Sequence, residues 1–366
     1  MKYPVTLVHD YFVQAGGGER VAAALHQLFP EAPVFTSVIN RATLWPELQD
    51  AAFYETWMRA LPAIHRSYRL YFLLYPFAMR GLRLPPTRVV ISSSSAYAMH
   101  VVAPRDATHI CYCHTPMRFA WQVDQYLGQE SLPSAQKQVV RAAAPLLRSL
   151  DRAAASHVDQ FVANSRAVRD RILRFYGRDA VVVPPPVHVD RFRVLGQVDT
   201  EPYLLVVSRL VAYKRIDVVV RAAREGKFPL VVLGDGPARP DLERLAEGSS
   251  QIRFLGKVSD DEVVRYLQHC YALVFPGEED FGIAPVEAHA AGRPVLAYAA
   301  GGALDTIQDG LNGVLFNLQT SDAVIDAWER SQRVAWDSAK ITRTAERFRP
   351  ERFYEGIQAV VNTYGG

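Results

Sequence analysis

The chain has 366 residues, of which 49% are hydrophobic and 22% charged, and its formal net charge is +3. This length exceeds what one ordinary core supports and suits two domains of about 150–200 residues. The small net charge, without blocks of lysine and arginine, argues against nucleic-acid binding. Three cysteines are too few for a disulfide framework and favour a reducing compartment. Because the first residues lead straight into a strand pattern without a leader, we expect a cytoplasmic protein.

Strand and helix patterns alternate along both halves of the sequence. This alternation predicts an α/β fold with parallel sheets that are covered by helices on both faces. Three consecutive prolines at 184–186 interrupt the pattern and mark a domain boundary. The predicted strands are 5–9, 34–38, 89–92, 110–113, 160–163 and 181–183 in the first half, and 204–208, 230–234, 252–255, 272–275, 295–298 and 313–316 in the second.

A glycine-rich loop follows the first predicted strand. Gly16, Gly17 and Gly18 separate this strand from an amphipathic helix pattern that opens with Glu19. Backbone amides in such a loop can approach a phosphate closely.

Residues 56–105 contain no acidic side chain. Arginines interleaved with aromatic residues are typical of a surface that binds an anionic membrane. The apolar run at 70–79 is shorter than the ~20 residues that span a bilayer, so we expect a peripheral contact at the inner face of the cell membrane. An apolar core helix with solvated arginines is the alternative. The residues concerned are Arg59, Arg66, Arg69, Arg80, Arg83, Arg88 and Arg105, with Trp57, Tyr68, Tyr71, Phe72, Tyr75 and Phe77.

The strand predicted at 110–113 leads to His114, in a loop that Pro116 keeps irregular and that continues to Arg118. An isolated histidine is usually structural, but one at the carboxyl end of a strand is placed for function.

Arg209 and Lys214 lie between a predicted strand and a helix pattern. A basic surface at a helix start is the structural alternative, but cations there oppose the helix dipole. The planar fork of arginine and the compact charge of lysine can together hold a diphosphate without a metal ion. We expect Asp217 to pair with Lys214 or Arg221.

The turn from Gly234 to Gly236 follows a buried strand and is superficially like a dinucleotide-binding fingerprint. Arg239 replaces the third glycine of that motif, so an oxidoreductase is not favoured.

The stretch from Phe275 to Ala297 places two carboxylates, Glu279 and Glu287, around a glycine turn and a proline. We predict that Glu279 lies on a loop and that a helix begins at Pro285, with Glu287 in its opening turns. The positive end of this helix and its free amides would face the same crevice as the carboxylates. The amides can bind phosphate oxygens, and the carboxylates can accept hydrogen bonds from sugar hydroxyl groups.

The pattern Glu279-x7-Glu287, followed by a glycine-proline strand entry, resembles the signature of retaining glycosyltransferase family 4. The segments around His114 and Arg209 also resemble this family, so the resemblance covers nearly the whole chain. It implies the GT-B fold, in which two Rossmann-like domains have parallel sheets that face across a cleft.

The resemblance also implies roles for the parts of the chain. Residues 1–186 would bind the acceptor, residues 187–348 the nucleotide sugar, and a helix at 349–366 would cross back to the first domain. The implied catalytic residues are His114 on the transferred sugar, Arg209 and Lys214 on the diphosphate, and Glu279 on sugar hydroxyls. Donor-binding residues would be Gly17, Gly18, Gly234, Val258, Phe281, Gly282 and Glu287, and acceptor-binding residues Glu19 and Arg118.

The run Cys-His114-Thr-Pro-Met-Arg118 most closely resembles mannosyltransferases of bacterial O-antigen and exopolysaccharide assembly. The expected reaction is transfer of mannose from GDP-mannose to a lipid-linked glycan, with retention and with neither metal nor cofactor. Alternatives are a UDP-sugar donor, a sugar-nucleotide epimerase, and a non-catalytic binding subunit of the same fold.

Overall fold

The computed structural model describes residues 4–14, 16–129, 133–194 and 201–365. The chain divides into two compact units. Unit 1 comprises Met1–Pro186 together with Pro350–Gly366, and unit 2 comprises Val187–Arg349. Each unit is a parallel sheet with helices, so the predicted α/β class is confirmed.

The sheet of unit 1 has seven parallel strands in the order β3-β2-β1-β4-β5-β6-β7. All six strands predicted for this half are present, and β3 is an additional strand that the sequence patterns missed. This edge strand is short and only half-buried, so it lacks the apolar run of its neighbours. The strands are β1 (Val5–His9), β2 (Val34–Thr36), β3 (Phe53–Glu55), β4 (Val89–Ser94), β5 (Thr108–Cys113), β6 (Gln160–Ala163) and β7 (Ala180–Val182).

Helices of unit 1 before the domain boundary follow the connections between these strands. They are α1 (Gly17–Leu28), α2 (Ile64–Ser67), α3 (Tyr75–Arg80), α4 (Arg118–Trp121), α5 (Val123–Gln129), α6 (Ser134–Ala155) and α7 (Arg166–Tyr176).

The sheet of unit 2 has six parallel strands in the order β10-β9-β8-β11-β12-β13. All six were predicted, and most of their side chains are buried because both faces are covered. The strands are β8 (Leu204–Val207), β9 (Leu230–Leu233), β10 (Ile252–Gly256), β11 (Ala272–Phe275), β12 (Val295–Tyr298) and β13 (Gly313–Phe316).

Helices of unit 2 alternate with these strands, and a last helix returns to unit 1. The unit 2 helices are α8 (Ile216–Gly226), α9 (Arg239–Ala246), α10 (Asp260–His269), α11 (Ile283–Ala290), α12 (Ala303–Thr306), α13 (Ser321–Gln332) and α14 (Ser338–Ala345). Helix α15 (Pro350–Tyr364) inserts Phe353, Ile357 and Val360 into the core of unit 1.

Each sheet has one point at which the order of its strands reverses. In unit 1 this switch point lies between β1 and β4, and in unit 2 between β8 and β11. The connections that leave two such neighbouring strands diverge to opposite faces, and the crevice at their carboxyl ends is where doubly wound sheets bind ligands. The topology therefore directs attention to the loops after these four strands.

Candidate functional site

An ion pair spans the switch point of unit 2. Lys214 lies in the loop after β8, and its ammonium group pairs with the carboxylate of Glu279 in the loop after β11. The two side chains keep 15% and 22% of their exposure, so the pair is screened from water but open to a ligand.

Arg209 lies two residues after the end of β8 and is exposed. Among the residues that the structure describes, no side chain pairs with its guanidinium group. Asp217 does not pair with Lys214 or Arg221, as expected from the sequence, but with Arg215 at 3.2 Å from Nε to Oδ1. The left-handed backbone of Arg215 (φ 54°), immediately before α8, brings its side chain to Asp217 in the first turn of that helix.

Glycines allow the loops of this site to approach each other. A Cβ atom on Gly277 would lie 3.0 Å from Cα of Lys214. A Cβ on Gly234 would lie 1.9 Å from the carbonyl oxygen of Ser208, which no side chain tolerates. These two glycines therefore let the loops after β9 and β11 contact the loop that carries both cations.

Gly234 and Val258 lie after neighbouring strands at the same edge. The amide of Gly234 donates to the carbonyl oxygen of Gly256 at 2.7 Å. Val258, two residues further on, is half-buried and packs against the apolar cluster beneath the strand ends, as does Val207. The structure thus brings both predicted residues to the carboxyl edge of the unit 2 sheet.

Helix α11 begins at Ile283, two residues before the predicted start at Pro285. Gly282 is its N-cap residue, with a left-handed φ of 83°, and turns the chain there without strain. Glu287 consequently lies in the second turn of α11, within the opening turns as predicted, and is half-buried. Phe281 is buried before the turn and packs against the ring of Phe348, with centroids 5.5 Å apart.

Two further glycines, which the sequence reasoning missed, support this loop. The amide of Gly302 donates to the carbonyl oxygen of Glu279 at 2.8 Å. A Cβ on Gly302 would lie 2.2 Å from Cα of Phe281, and one on Gly301 would lie 2.1 Å from the oxygen of Glu279. The available signal was a pair of glycines a few residues beyond a buried strand, here β12.

The switch point of unit 1 holds two histidines joined by a serine. The hydroxyl of Ser93 in β4 lies 2.8 Å from Nε2 of His114 and 3.1 Å from Nδ1 of His9. One hydroxyl carries one proton, so it donates to one imidazole and accepts from the other. Burial lowers the pKa of His9 to about 4, which keeps its ring neutral at physiological pH.

The predicted glycine loop lies beside these histidines. A Cβ on Gly18 would lie 3.7 Å from Nε2 of His114 and 3.7 Å from Cε1 of His9, whereas Gly17 is exposed at the start of α1. Glu19 is buried, and its carboxylate accepts a hydrogen bond of 3.1 Å from the amide of Gly16. Burial raises the pKa of Glu19 to about 7.

Asp10, directly after β1, is a third residue that the sequence reasoning missed. Its buried carboxylate accepts four backbone hydrogen bonds from the loop after β4, with lengths from 2.6 to 3.1 Å. Burial raises its pKa, and these donors oppose that shift. The donors are the amides of Ser95, Ala96, Tyr97 and Ala98. Asp10 thereby ties together the two loops of the switch point.

Arg118 begins the short helix α4, four residues after His114, and is half-buried. It lines a cavity of unit 1 together with Thr115, the neighbour of His114. No group of three or more histidine, cysteine, aspartate or glutamate side chains in the described parts of the chain is arranged to hold a metal ion.

Family models match most of the chain. Residues 15–191 match the model described as Glycosyltransferase Family 4, and residues 190–332 match the model described as Glycosyl transferases group 1.

Curated relatives include two mannosyltransferases. O-antigen chain mannosyltransferase C of Escherichia coli is 29% identical over 63% of this chain and 65% of that protein. The GDP-mannose-dependent alpha-(1-6)-phosphatidylinositol monomannoside mannosyltransferase of Mycobacterium tuberculosis is 31% identical over 50% of this chain and 55% of that protein's length. The chain spans about half the length of the curated relatives it matches, which also include D-inositol 3-phosphate glycosyltransferases.

Among solved structures, HepE of Anabaena in complex with UDP superimposes with a TM-score of 0.69 at 16% identity, covering 99% of this chain and 100% of HepE. This likeness, with two parallel sheets of seven and six strands, defines the GT-B fold. The two halves of the chain therefore each match a glycosyltransferase model.

Proposed function

We propose that the protein transfers mannose from GDP-mannose to a lipid-linked glycan, with retention of configuration at the anomeric carbon. The observation that carries this proposal is the cationic edge of unit 2, where exposed Arg209 and the Lys214–Glu279 pair meet at the switch point. Two cations of this kind match the charge of a nucleoside diphosphate.

In this proposal Arg209 and Lys214 hold the diphosphate, and Glu279 balances Lys214 until the donor binds. The bond between the anomeric carbon and the phosphate oxygen breaks, and the acceptor hydroxyl oxygen bonds to that carbon from the same face. The hydroxyl proton passes to the leaving diphosphate. The two cations stabilise the charge that develops on the leaving group, which is usually the largest catalytic contribution.

The remaining donor contacts come from loops at the same edge of unit 2. Gly234 and Val258 line the nucleotide, Glu287 accepts hydrogen bonds from the ribose, and the amides around Phe281 and Gly282 orient the sugar. Close packing of glycines between these loops supports the arrangement, because loops that cannot shift hold a ligand in one geometry.

Unit 1 contributes hydrogen-bonding groups in this scheme. His114, fixed by Ser93, contacts the transferred sugar, and Gly17 and Gly18 leave room for the donor phosphates. Glu19 and Arg118 contact the acceptor.

Mannose and GDP are supported by relatives whose names specify them: a mannosyltransferase of O-antigen chains and a GDP-mannose-dependent mannosyltransferase. A UDP-sugar donor is the second candidate, since a structural neighbour was solved with UDP.

A peripheral membrane contact is supported by the acid-free segment at 56–105. Its seven arginines are all exposed, and three of its aromatic and leucine side chains keep half or more of their exposure. Charges and apolar groups together favour the interface of an anionic membrane. No helix in the described ranges has the length and hydropathy to cross a bilayer. The apolar side chains are Trp57, Leu70 and Phe77.

The test is a transfer assay without added metal. Purified protein is incubated separately with GDP-mannose and UDP-glucose, with and without a polyprenyl-diphosphate-linked glycan extract, and both nucleotide release and lipid-product mass are measured. One hexose added from GDP-mannose alone, with an α-anomeric signal by NMR, is the expected result. Transfer from UDP-glucose alone would show that the donor is a UDP-sugar and not GDP-mannose. Conversion of free nucleotide sugar without an acceptor would indicate an epimerase. Neither nucleotide release nor a new lipid product with either donor would indicate a binding subunit.

A further inference from the structure

Unit 1 contains a cavity of about 400 Å³ whose wall consists mainly of aromatic rings. This volume lies in the range of small-molecule sites. Ser95 and Thr115, from the loops after β4 and β5, line it beside the cluster that holds His114. The rings are Tyr11, Tyr68, Phe72, Tyr75, Tyr97, Phe119 and Tyr126.

The rings of this cavity support one another. Tyr75 stacks on Tyr97 with centroids 4.4 Å apart, and Tyr97 lies 5.9 Å from Phe119. Tyr11 contacts Tyr68 at 5.0 Å. A wall of mutually packed rings holds its shape without a ligand, so little ordering is needed on binding.

Among the described residues that line the cavity, the charged groups are two arginines, Arg69 and Arg118, without a carboxylate. Sugar rings with many hydroxyls need several directed acceptors, and carboxylates usually supply them. A wall of rings with cations and no acid instead suits a molecule that combines an anionic group with an apolar body.

The rim of the cavity extends this apolar surface outward. Leu70 and Val139 line the cavity and yet keep 61% and 52% of their exposure. Leu70 belongs to the segment 56–105, beside the exposed apolar and basic side chains that favour a membrane surface. A chain longer than the cavity can therefore leave it along Leu70 toward that surface.

We propose that this cavity binds the phosphorylated end of a polyprenyl lipid. Arg69 and Arg118 bind the phosphates, the rings surround the first isoprene units, and the rest of the chain leaves past Leu70 and Val139. The proposal rests on the proposed function, whose acceptor is lipid-linked, and it adds the lipid class and the site that recognises it.

Calorimetric titration of the full chain with geranylgeranyl diphosphate, without nucleotide sugar or detergent, tests the cavity. Binding should be at least about tenfold tighter than that of inorganic diphosphate, because burying one or two isoprene units corresponds to more than 1.4 kcal/mol. Equal affinities would overturn the proposal, since they would show that the rings contribute nothing.

Rim variants locate the binding. Leu70→Glu should weaken geranylgeranyl diphosphate about tenfold by placing a like charge at the apolar rim, and Arg69→Ala should do so by removing a charge-assisted hydrogen bond. The matched controls are Leu318→Glu, at a leucine of unit 2 that is 65% exposed, and Arg333→Ala, at an exposed arginine of unit 2 that does not line the cavity. Affinity unchanged in both rim variants, or lowered equally in the controls, would contradict this location.

A mannan oligosaccharide titrated in competition separates lipid from glycan. Displacement of geranylgeranyl diphosphate by the oligosaccharide at lower concentration would make the cavity a glycan site and overturn the lipid assignment. Because the titration contains no donor, its result is independent of the transfer assay. If lipid binding is intact but no mannose is transferred, only the proposed function is contradicted. If mannose is transferred but the rim variants bind geranylgeranyl diphosphate like the wild type, only the cavity proposal is contradicted.

Discussion

At the switch point of unit 1, Ser93 links two imidazoles in a buried cluster, and Asp10 is saturated by four backbone amides. At the switch point of unit 2, Arg209 is exposed and Lys214 pairs with Glu279 across the crevice. The two sheets share a topology, yet the polar groups at one switch point satisfy each other, whereas the other switch point presents charge.

This difference indicates how each unit gains its rigidity. The loops of unit 1 are held by side-chain hydrogen bonds, whereas those of unit 2 are held by the contact of glycine backbones, as at Gly234 and Gly302. A site held by backbone packing leaves its charged side chains available for a ligand. A site held by a buried carboxylate uses that charge for its own structure.

The largest effect is expected from removing the lysine of unit 2. Lys214→Ala should lower turnover of the proposed transfer about a thousandfold, or ~4 kcal/mol, because a charge that stabilises the leaving diphosphate is lost. Steady-state release of GDP measures this. Lys340→Ala, at an exposed lysine of α14, is the matched control and should retain full turnover. Near-normal turnover of Lys214→Ala with a normal melting curve would refute the diphosphate role.

Sequence patterns can predict the position of a residue when that position depends only on the neighbouring strand or helix. The sequence could place Arg209, Lys214 and Glu279 in the loops after strands, because each loop follows a recognisable apolar strand. The roles of Asp10 and Gly302 could not be predicted, because they depend on contacts with segments that are distant along the chain or on a clash that only three-dimensional packing creates.

The limits of secondary-structure prediction were also physical. Strand β3 was missed because an edge strand with a half-exposed pattern gives little apolar signal. The start of α11 was placed two residues late, because a proline is tolerated throughout the first turn of a helix and does not define its first residue.

The second largest effect is expected from the buried carboxylate of unit 1. Asp10→Asn should lower the free energy of unfolding of unit 1 by about 3 kcal/mol, because one amide oxygen cannot satisfy four backbone donors. Urea unfolding measures the loss. Asp106→Asn, at an exposed aspartate, should change stability by less than ~0.5 kcal/mol. Equal stabilities of the two variants would show that Asp10 does not hold these loops.

A somewhat smaller effect is expected from the glycine packing of unit 2. Gly302→Ala should destabilise unit 2 by about 2 to 3 kcal/mol, because the new Cβ would lie 2.2 Å from Cα of Phe281. GDP affinity, measured by calorimetry, should fall with it as the loop carrying Glu279 shifts. Gly128→Ala is the control, since nothing lies within 4 Å of its added Cβ. Full GDP affinity in Gly302→Ala would show that the glycine packing at this position does not hold the GDP-binding loop in place.

The smallest effect concerns the pH dependence of unit 1, through Glu19. Its folded pKa of about 7 lies above the ordinary value of 4.5, so the folded state retains a proton that the unfolded chain releases. The contribution of Glu19 to the stability of unit 1 should therefore fall as pH rises from about 4.5 to 7 and change little above that range. Glu19→Gln keeps an oxygen for the amide of Gly16 but cannot ionise, so it should lose this fall.

The measurement is urea unfolding of the wild type and Glu19→Gln at pH 5 and pH 8. The variant should gain on the order of 2 kcal/mol relative to the wild type between the two pH values. His9, His109 and His289, whose pKa values burial lowers, act in the opposite direction but are present in both proteins and cancel in the difference. A difference that does not vary with pH would mean that Glu19 is already ionised at pH 5. Burial would then not keep this carboxylate of unit 1 neutral.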